Sequence, residues 1–231
     1  LDLIRAIPRA AGIVFAAEGH SAGTASDVAI SDFHLSGVSL EHSTYKDERA
    51  FKMTMPSEAI QDAQKEKLSD RNFMAWLPMD FGDGVVEAEM ASELAADAPA
   101  YARGFIGLTF RIDSEGRFES IYLRPTNSVA DDQVRRNHSV QYVAYPDYRF
   151  DRLRSESPEK YESYAELDLG RWIHMRIVVS GQKAALYLDG KSQPALIVND
   201  LKFGTKQRGG VGVWLESGTI AYFRNLKVKP A

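Results

Sequence analysis

The sequence predicts an all-β fold in which two antiparallel sheets pack face to face, and three observations carry that prediction. Short segments alternate apolar and polar residues with a period of two, which turns one face of each strand toward a core. Gly-containing turn sequences recur between these segments. No long helical pattern separates one strand from the next, which argues against an α/β sheet. The 231 residues are 44% hydrophobic and 26% charged, so the chain can bury a core and is not disordered by composition. Sandwiches of about 200 to 250 residues routinely form one domain, so the length requires no second core. The expected organisation is an N-terminal arm or leader remnant over residues 1–25, followed by a single sandwich domain over residues 26–231.

Taken in order, residues 1–25 are rich in Ala and Gly, with a short apolar stretch at 10–17. With Leu1 rather than Met in first place, this leans toward an extracytoplasmic location, periplasmic or secreted. Residues 33–40 and 49–55 read as short strands joined by the polar residues 41–48. Ser57 is a helix-capping residue and the charged run at 61–67 favours helix, so a short helix or loop is expected near 57–70. Residues 73–77 form an apolar run, and Phe81-Gly82-Asp83-Gly84 is turn chemistry. In residues 85–90, Val86, Ala88 and Met90 share the inward face, with Glu87 and Glu89 on the other.

The clearest register concerns residues 103–112 and 117–124, joined by Asp113-Ser114-Glu115-Gly116. If Ile112 opposes Arg117, Leu108 faces Ile121 and Ile106 faces Leu123, which buries Ile106, Leu108, Phe110, Ile121 and Leu123 on one face. Arg103, Thr109, Arg111, Phe118, Ser120, Tyr122 and Arg124 then fall on the other. Toward the C-terminus Ile173, Met175, Ile177 and Val179 point inward, and Ser180-Gly181 turns into the returning strand 184–188. Asp189-Gly190 carries a type I′ turn signal. Residues 209–215 and 219–228 read as a last hairpin around Glu216-Ser217-Gly218.

Composition excludes several functions. The net charge is −4, without the basic excess of nucleic-acid-binding domains. With no Cys there is no thiol nucleophile, thiolate metal site or disulfide framework. No apolar run approaches the roughly 20 residues of a membrane-spanning helix. Phosphate-cradling Gly loops, nucleophile elbows, zinc-helix motifs and dinucleotide fingerprints are absent from the sequence. No motif requires a cofactor.

The stretches 172–179, Ala185-Leu186-Tyr187-Leu188-Asp189-Gly190, Gly210-Val211-Gly212-Val213 and 221–228 resemble the laminin-G-like and concanavalin A-like lectin/glucanase jelly rolls. Asp83-Gly84-Val85-Val86-Glu87-Ala88-Glu89, with Gly107-Leu108-Thr109-Phe110-Arg111 and Phe118-Glu119-Ser120-Ile121, resembles bacterial 3-keto-disaccharide hydrolase-like domains. Together these stretches cover about half the chain. The resemblance implies a two-sheet antiparallel jelly roll whose curved sheet presents a groove to glycans, sometimes with calcium nearby; it implies no activity by itself. Arg111 and Glu119 are the positions that align with the hydrolase-like pattern.

The densest unusual segment is 124–164, which holds five of the ten tyrosines, Tyr142, Tyr145, Tyr148, Tyr161 and Tyr164. Asn127, Arg135, Arg136, Asn137 and Gln141 accompany them. Aromatic rings stack on sugar C–H faces and planar amides or guanidinium groups bond hydroxyls, so this inventory suits a saccharide site. Arg103, Arg111, Tyr122, Arg124, Asn127, Gln141, Tyr142, Tyr145, Tyr148 and Trp214 are the candidate ligand-binding residues. The same tyrosines equally suit structural packing along the sandwich edge. Trp214 alternates outward from Val211, Val213 and Leu215, as a sugar platform or as cover for a second core. Candidate acid or base groups are Glu119, His138 and Glu162. Glu87 and Glu89 share a strand face, as paired glycosidase carboxylates do, and alternating Glu is also ordinary on a solvated strand. Asp131, Asp132 and Asp147 offer hard oxygen ligands that suit calcium, without EF-hand spacing. Three readings follow: a lectin-like carbohydrate-binding domain, a glycoside hydrolase or lyase, or a structural or protein-interaction domain.

Overall fold

The computed structural model describes residues 28–56 and 71–231. The expected arm at 1–25 and the expected helix or loop at 57–70 lie outside the described residues. A 3-10 turn, Ile30–Asp32, leads into β1 (His34–Ser36), β2 (Ser39–Tyr45) and β3 (Glu48–Thr54). Then come β4 (Met74–Phe81), β5 (Gly84–Leu94), β6 (Ile106–Ile112) and β7 (Phe118–Leu123). Three short helices, α1 (Pro125–Ser128), α2 (Gln133–Asn137) and α3 (Phe150–Glu156), flank β8 (Val140–Tyr145). After these come β9 (Glu162–Ser163), β10 (Ile173–Ser180), β11 (Lys183–Leu188), β12 (Leu196–Val198), β13 (Gly209–Leu215) and β14 (Thr219–Pro230).

The strands form two antiparallel seven-stranded sheets, ordered β1-β4-β13-β6-β7-β8-β9 and β12-β11-β10-β5-β14-β3-β2. This is the two-sheet sandwich that the alternation predicts. Leu108 faces Ile121 and Ile106 faces Leu123, the expected register. Val86, Ala88, Met90, Ile173, Met175, Ile177 and Val179 of the second sheet are buried against Ile106, Leu108, Phe110, Ile121 and Leu123 of the first. Both inner faces are therefore as read.

Three readings differ. Residues 33–40 are not one strand: they part at Gly37, at φ 62°, into β1 of the first sheet and the start of β2 of the second. The polar residues 41–48 do not form a loop: β2 runs to Tyr45, and Lys46 and Asp47, at φ 51° and 64°, make a two-residue turn into β3. β2 is an edge strand exposed on one side, so its sequence carries little apolar alternation. The expected last hairpin also does not form, because β13 pairs with β4 and β6 while β14 pairs with β5 and β3. The short link, with Gly218 at φ 72°, passes from one sheet to the other. Alternation reports which face of a strand is buried, not which strand lies beside it.

The first sheet is buried on both faces along β6 and β7. One ladder row on its outer face reads Met74, Trp214, Gly107, Tyr122, Gln141 and Glu162 across successive strands. Gly107 sits between the two large rings, and a Cβ there would lie 2.4 Å from Tyr122 Cβ. Its bareness lets the Trp214 and Tyr122 rings close to 4.7 Å over it, with Phe105 edge-on to both. This aromatic layer is a second, smaller core and the floor on which the site is built.

Candidate functional site

A pocket of about 300 Å³ lies on this outer face, lined by Tyr101, Arg103, Phe105, Arg124, Asn127, Arg135, His138, Phe150 and Arg154. Three local elements build it. The connection from β5 to β6 supplies Tyr101, Arg103 and Phe105. Arg124 follows β7 directly, and α1 and α2 bring in Asn127 and Arg135; Asp132 caps α2 by accepting from the Arg135 N–H at 3.0 Å. α3 contributes Phe150 and Arg154, four residues apart and so on one helical face.

Arg124 is the fixed centre of the wall. It is 5% exposed; its Nη1 donates to the His138 carbonyl at 3.1 Å and to Gln141 Oε1 at 3.3 Å, and its Nη2 donates to the Tyr122 hydroxyl at 2.7 Å. Its guanidinium lies 4.9 Å from the Tyr122 ring centroid and 5.3 Å from that of Phe150, whose ring also meets the Arg154 guanidinium at 5.0 Å. Arg154 holds Glu162 Oε1 through Nε at 2.9 Å and Nη2 at 2.7 Å, and the other Glu162 oxygen faces His138 Nδ1. Glu162 is thus buried behind the wall, anchoring two of its members.

Electrostatics follow from this crowding. Burial holds the Arg103 guanidinium below the ordinary arginine value, and repulsion from Arg135 and Arg124 adds to it. Burial likewise lowers the His138 pKa; Glu162 opposes the shift, while Arg154 and Arg124 reinforce it. His138 is therefore held as neutral imidazole near pH 7, with its Nδ1 on the Glu162 side.

Of the sequence candidates, the pocket collects Arg103, Arg124, Asn127 and His138, with Glu162 and Gln141 behind it. Other candidates lie elsewhere, each for a physical reason. Arg111 and Glu119 are fully buried and paired at 3.2 Å inside the sandwich. Arg111, at φ 56°, occupies a bulge where three residue steps of β6 (Thr109 to Ile112) oppose two of β13 (Gly212 to Gly210), which takes it off the outer face predicted for it. Tyr142 is enclosed with them and donates its hydroxyl to Glu119 Oε1 at 2.6 Å. Tyr122 and Trp214 are covered by Phe105 and belong to the floor, so Trp214 is cover for a second core and no open platform. Tyr145 stacks on Phe118, and Tyr148 lies under Arg152, both packed along the sandwich edge.

Among the described residues no group of three or more His, Asp or Glu side chains gathers as a metal site. Of the calcium candidates, Asp132 is committed to its helix cap, and Asp131 and Asp147 are exposed. Glu87 and Glu89 lie on the outer face of the other sheet, where Glu89 pairs with Arg224 at 2.6 Å and Glu87 neighbours His174 and Lys229. Another pocket, of about 410 Å³, lies at β3 and β14 beside Phe33, Arg49 and Arg224, with Arg224 already held by Glu48 and Glu89.

Sequence reading missed Tyr101, Phe105, Phe150 and Arg154. Phe150 and Arg154 carry an available signal, their spacing on a short helical turn in Phe150-Asp151-Arg152-Leu153-Arg154. Tyr101 and Phe105 carry none, since they sit in an irregular connection.

No protein-family model matches the chain, and no curated protein does. Among solved structures it is similar to the carbohydrate-binding module CBM66 from Bacillus subtilis, at 13% identity over 84% of this chain and 96% of that one, with a TM-score of 0.50. It is also similar to a Bacillus subtilis protein of unknown function with a galectin-like fold, at 11% identity over 86% of this chain and 89% of that one, with a TM-score of 0.52. At these identities the likeness establishes the fold, a concanavalin A-like or galectin-like β-sandwich.

Proposed function

We propose that the chain is a lectin-like carbohydrate-binding domain and that the pocket lined by Arg124 and Phe150 is its saccharide site. One observation carries the reading: three aromatic side chains, Tyr101, Phe105 and Phe150, share one small pocket with planar hydrogen-bonding groups locked in place from behind. Rings offer apolar faces to sugar C–H surfaces, and fixed planar groups bond hydroxyls with little entropy left to lose. The carbohydrate-binding role in the name of the similar Bacillus subtilis module supports the same class of ligand. An extracytoplasmic location, where polymeric glycans are met, belongs to this proposal. No described helix is long and apolar enough to cross a membrane.

A second reading, a saccharide-acting enzyme, is favoured by one observation. His138 lines the pocket as a neutral imidazole whose Nδ1 side is occupied by Glu162, which leaves Nε2 as a base. A labelled-glycan panel read for binding and, in parallel, for reducing-sugar release separates the two. Binding without release is expected, and Arg124→Ala or Phe150→Ala should each weaken it by about ten-fold or more, the scale of one charged hydrogen bond or one stacked ring. Undiminished binding in both variants would remove the saccharide from this pocket. Release that His138→Ala abolishes would install the enzyme reading.

A further inference from the structure

We infer that the pocket selects an acidic saccharide, seating a ring-borne oxyanion, a carboxylate or a sulfate ester, against its arginines. The inference rests on the saccharide reading above and names the class of sugar. Four guanidinium groups, those of Arg103, Arg124, Arg135 and Arg154, line one pocket of about 300 Å³, and no carboxylate is among its lining residues. The chain as a whole is acidic, at −4, so this local excess of cations is not a background property. Glu162 answers only Arg154 and His138 from behind.

The bonding inventory points the same way. Arginine donates and never accepts. Arg103 spends only Nη1, on the carbonyls of Ala100 and Ala102 at 2.8 Å, and Arg135 spends only Nε, on Asn127 Oδ1 at 3.3 Å. Their remaining N–H groups have no partner among the described residues. A neutral sugar presents hydroxyls that must donate as well as accept, and in this pocket the Asn127 acceptor is already engaged, which leaves His138 Nε2 as an acceptor against the several spare donors of Arg103 and Arg135. An oxyanion accepts only, so it matches a wall of spare donors and relieves the mutual repulsion of the arginines. A pocket at the small end of the ligand-site range suits one charged ring or a chain end better than a long polymer segment.

Isothermal titration of the whole chain against matched oligosaccharides tests this. The probes are a uronate oligomer and its carboxyl-reduced neutral counterpart, and a sulfated galactan oligomer and its desulfated counterpart. At least one acidic member should bind ten-fold or more tightly than its neutral partner and weaken as salt rises from 50 to 500 mM; which arm responds tells carboxylate from sulfate. Arg135→Gln, on the exposed face of α2, and the Arg103→Gln/Arg135→Gln pair should erase that preference while circular dichroism stays unchanged. Equal affinity for acidic and neutral partners would overturn the inference and leave the saccharide reading standing. Absence of binding to every probe and every glycan of the broader panel would overturn both.

Discussion

Arg111→Met is expected to destabilise the domain by about 3–5 kcal/mol, because it strands a buried carboxylate and several carbonyls at once. For a domain of this size that corresponds to a fall in melting temperature of roughly 10 °C. Arg111 is fully buried at the end of the sandwich where three connections converge. Its Nε donates to the Gly82 carbonyl at 2.9 Å, its Nη1 to Glu119 Oε2 at 3.2 Å and the Gly204 carbonyl at 3.0 Å, and its Nη2 to Asp83 Oδ1 at 3.0 Å and the Gly181 carbonyl at 2.8 Å. One planar fork thus ties the β4–β5 turn, the β10–β11 turn and the β12–β13 connection to β7. Arg111→Lys should rescue little, since an ammonium cannot reach acceptors arrayed around a plane. Burial pushes the Glu119 pKa up, opposed by the Tyr142 hydroxyl and by Arg111, so losing Arg111 makes ionised Glu119 costlier still. Arg111→Met combined with Glu119→Gln should therefore recover part of the loss in a double-mutant cycle measured by thermal and urea unfolding. A single-variant loss below about 1 kcal/mol, the scale of an exposed ion pair, would refute this role.

Trp214→Ala is expected to cost a similar amount, about 3–5 kcal/mol, by opening a cavity beneath the pocket floor. The ring is 1% exposed, 4.7 Å from Tyr122 and edge-on to Phe105, and its Nε1–H donates to the Arg71 carbonyl. The variant should unfold about 10 °C lower, and Trp214→Phe should lose less because it keeps most of the ring contact. A sugar platform would behave in the opposite way, with binding lost and the melting temperature unchanged. Differential scanning calorimetry beside saccharide titration distinguishes the two.

These two residues also show how far sequence reaches. The parity of Trp214, opposite Val213 and Leu215, was legible from alternation, as was Glu119 sharing a face with Ile121 and Leu123. What alternation cannot report is a second layer of cover: the outer face of the first sheet reads as polar and solvated, yet Phe105 and the helical segments after β7 bury it. Arg111 escaped for another reason, since a bulge re-aims its side chain and leaves the residue pattern of the strand unchanged. Of the segment 124–164, the pocket collects Arg124, Asn127 and His138, whose polar side chains are legible in the sequence while their convergence is not. Tyr142, Tyr145 and Tyr148 serve packing, while the rings in the pocket come from Phe150, marked only by its helical spacing to Arg154, and from Tyr101 and Phe105, which no periodic pattern marks.

The most direct test of the central claim is a crystal structure of the chain with the tightest-binding saccharide from the panel. Sugar density is expected against Phe150 and Phe105, with at least one ring oxygen or substituent within hydrogen-bonding distance of Arg124. Saccharide density confined to the pocket beside Phe33, Arg49 and Arg224, with the arginine-lined pocket empty, would contradict it.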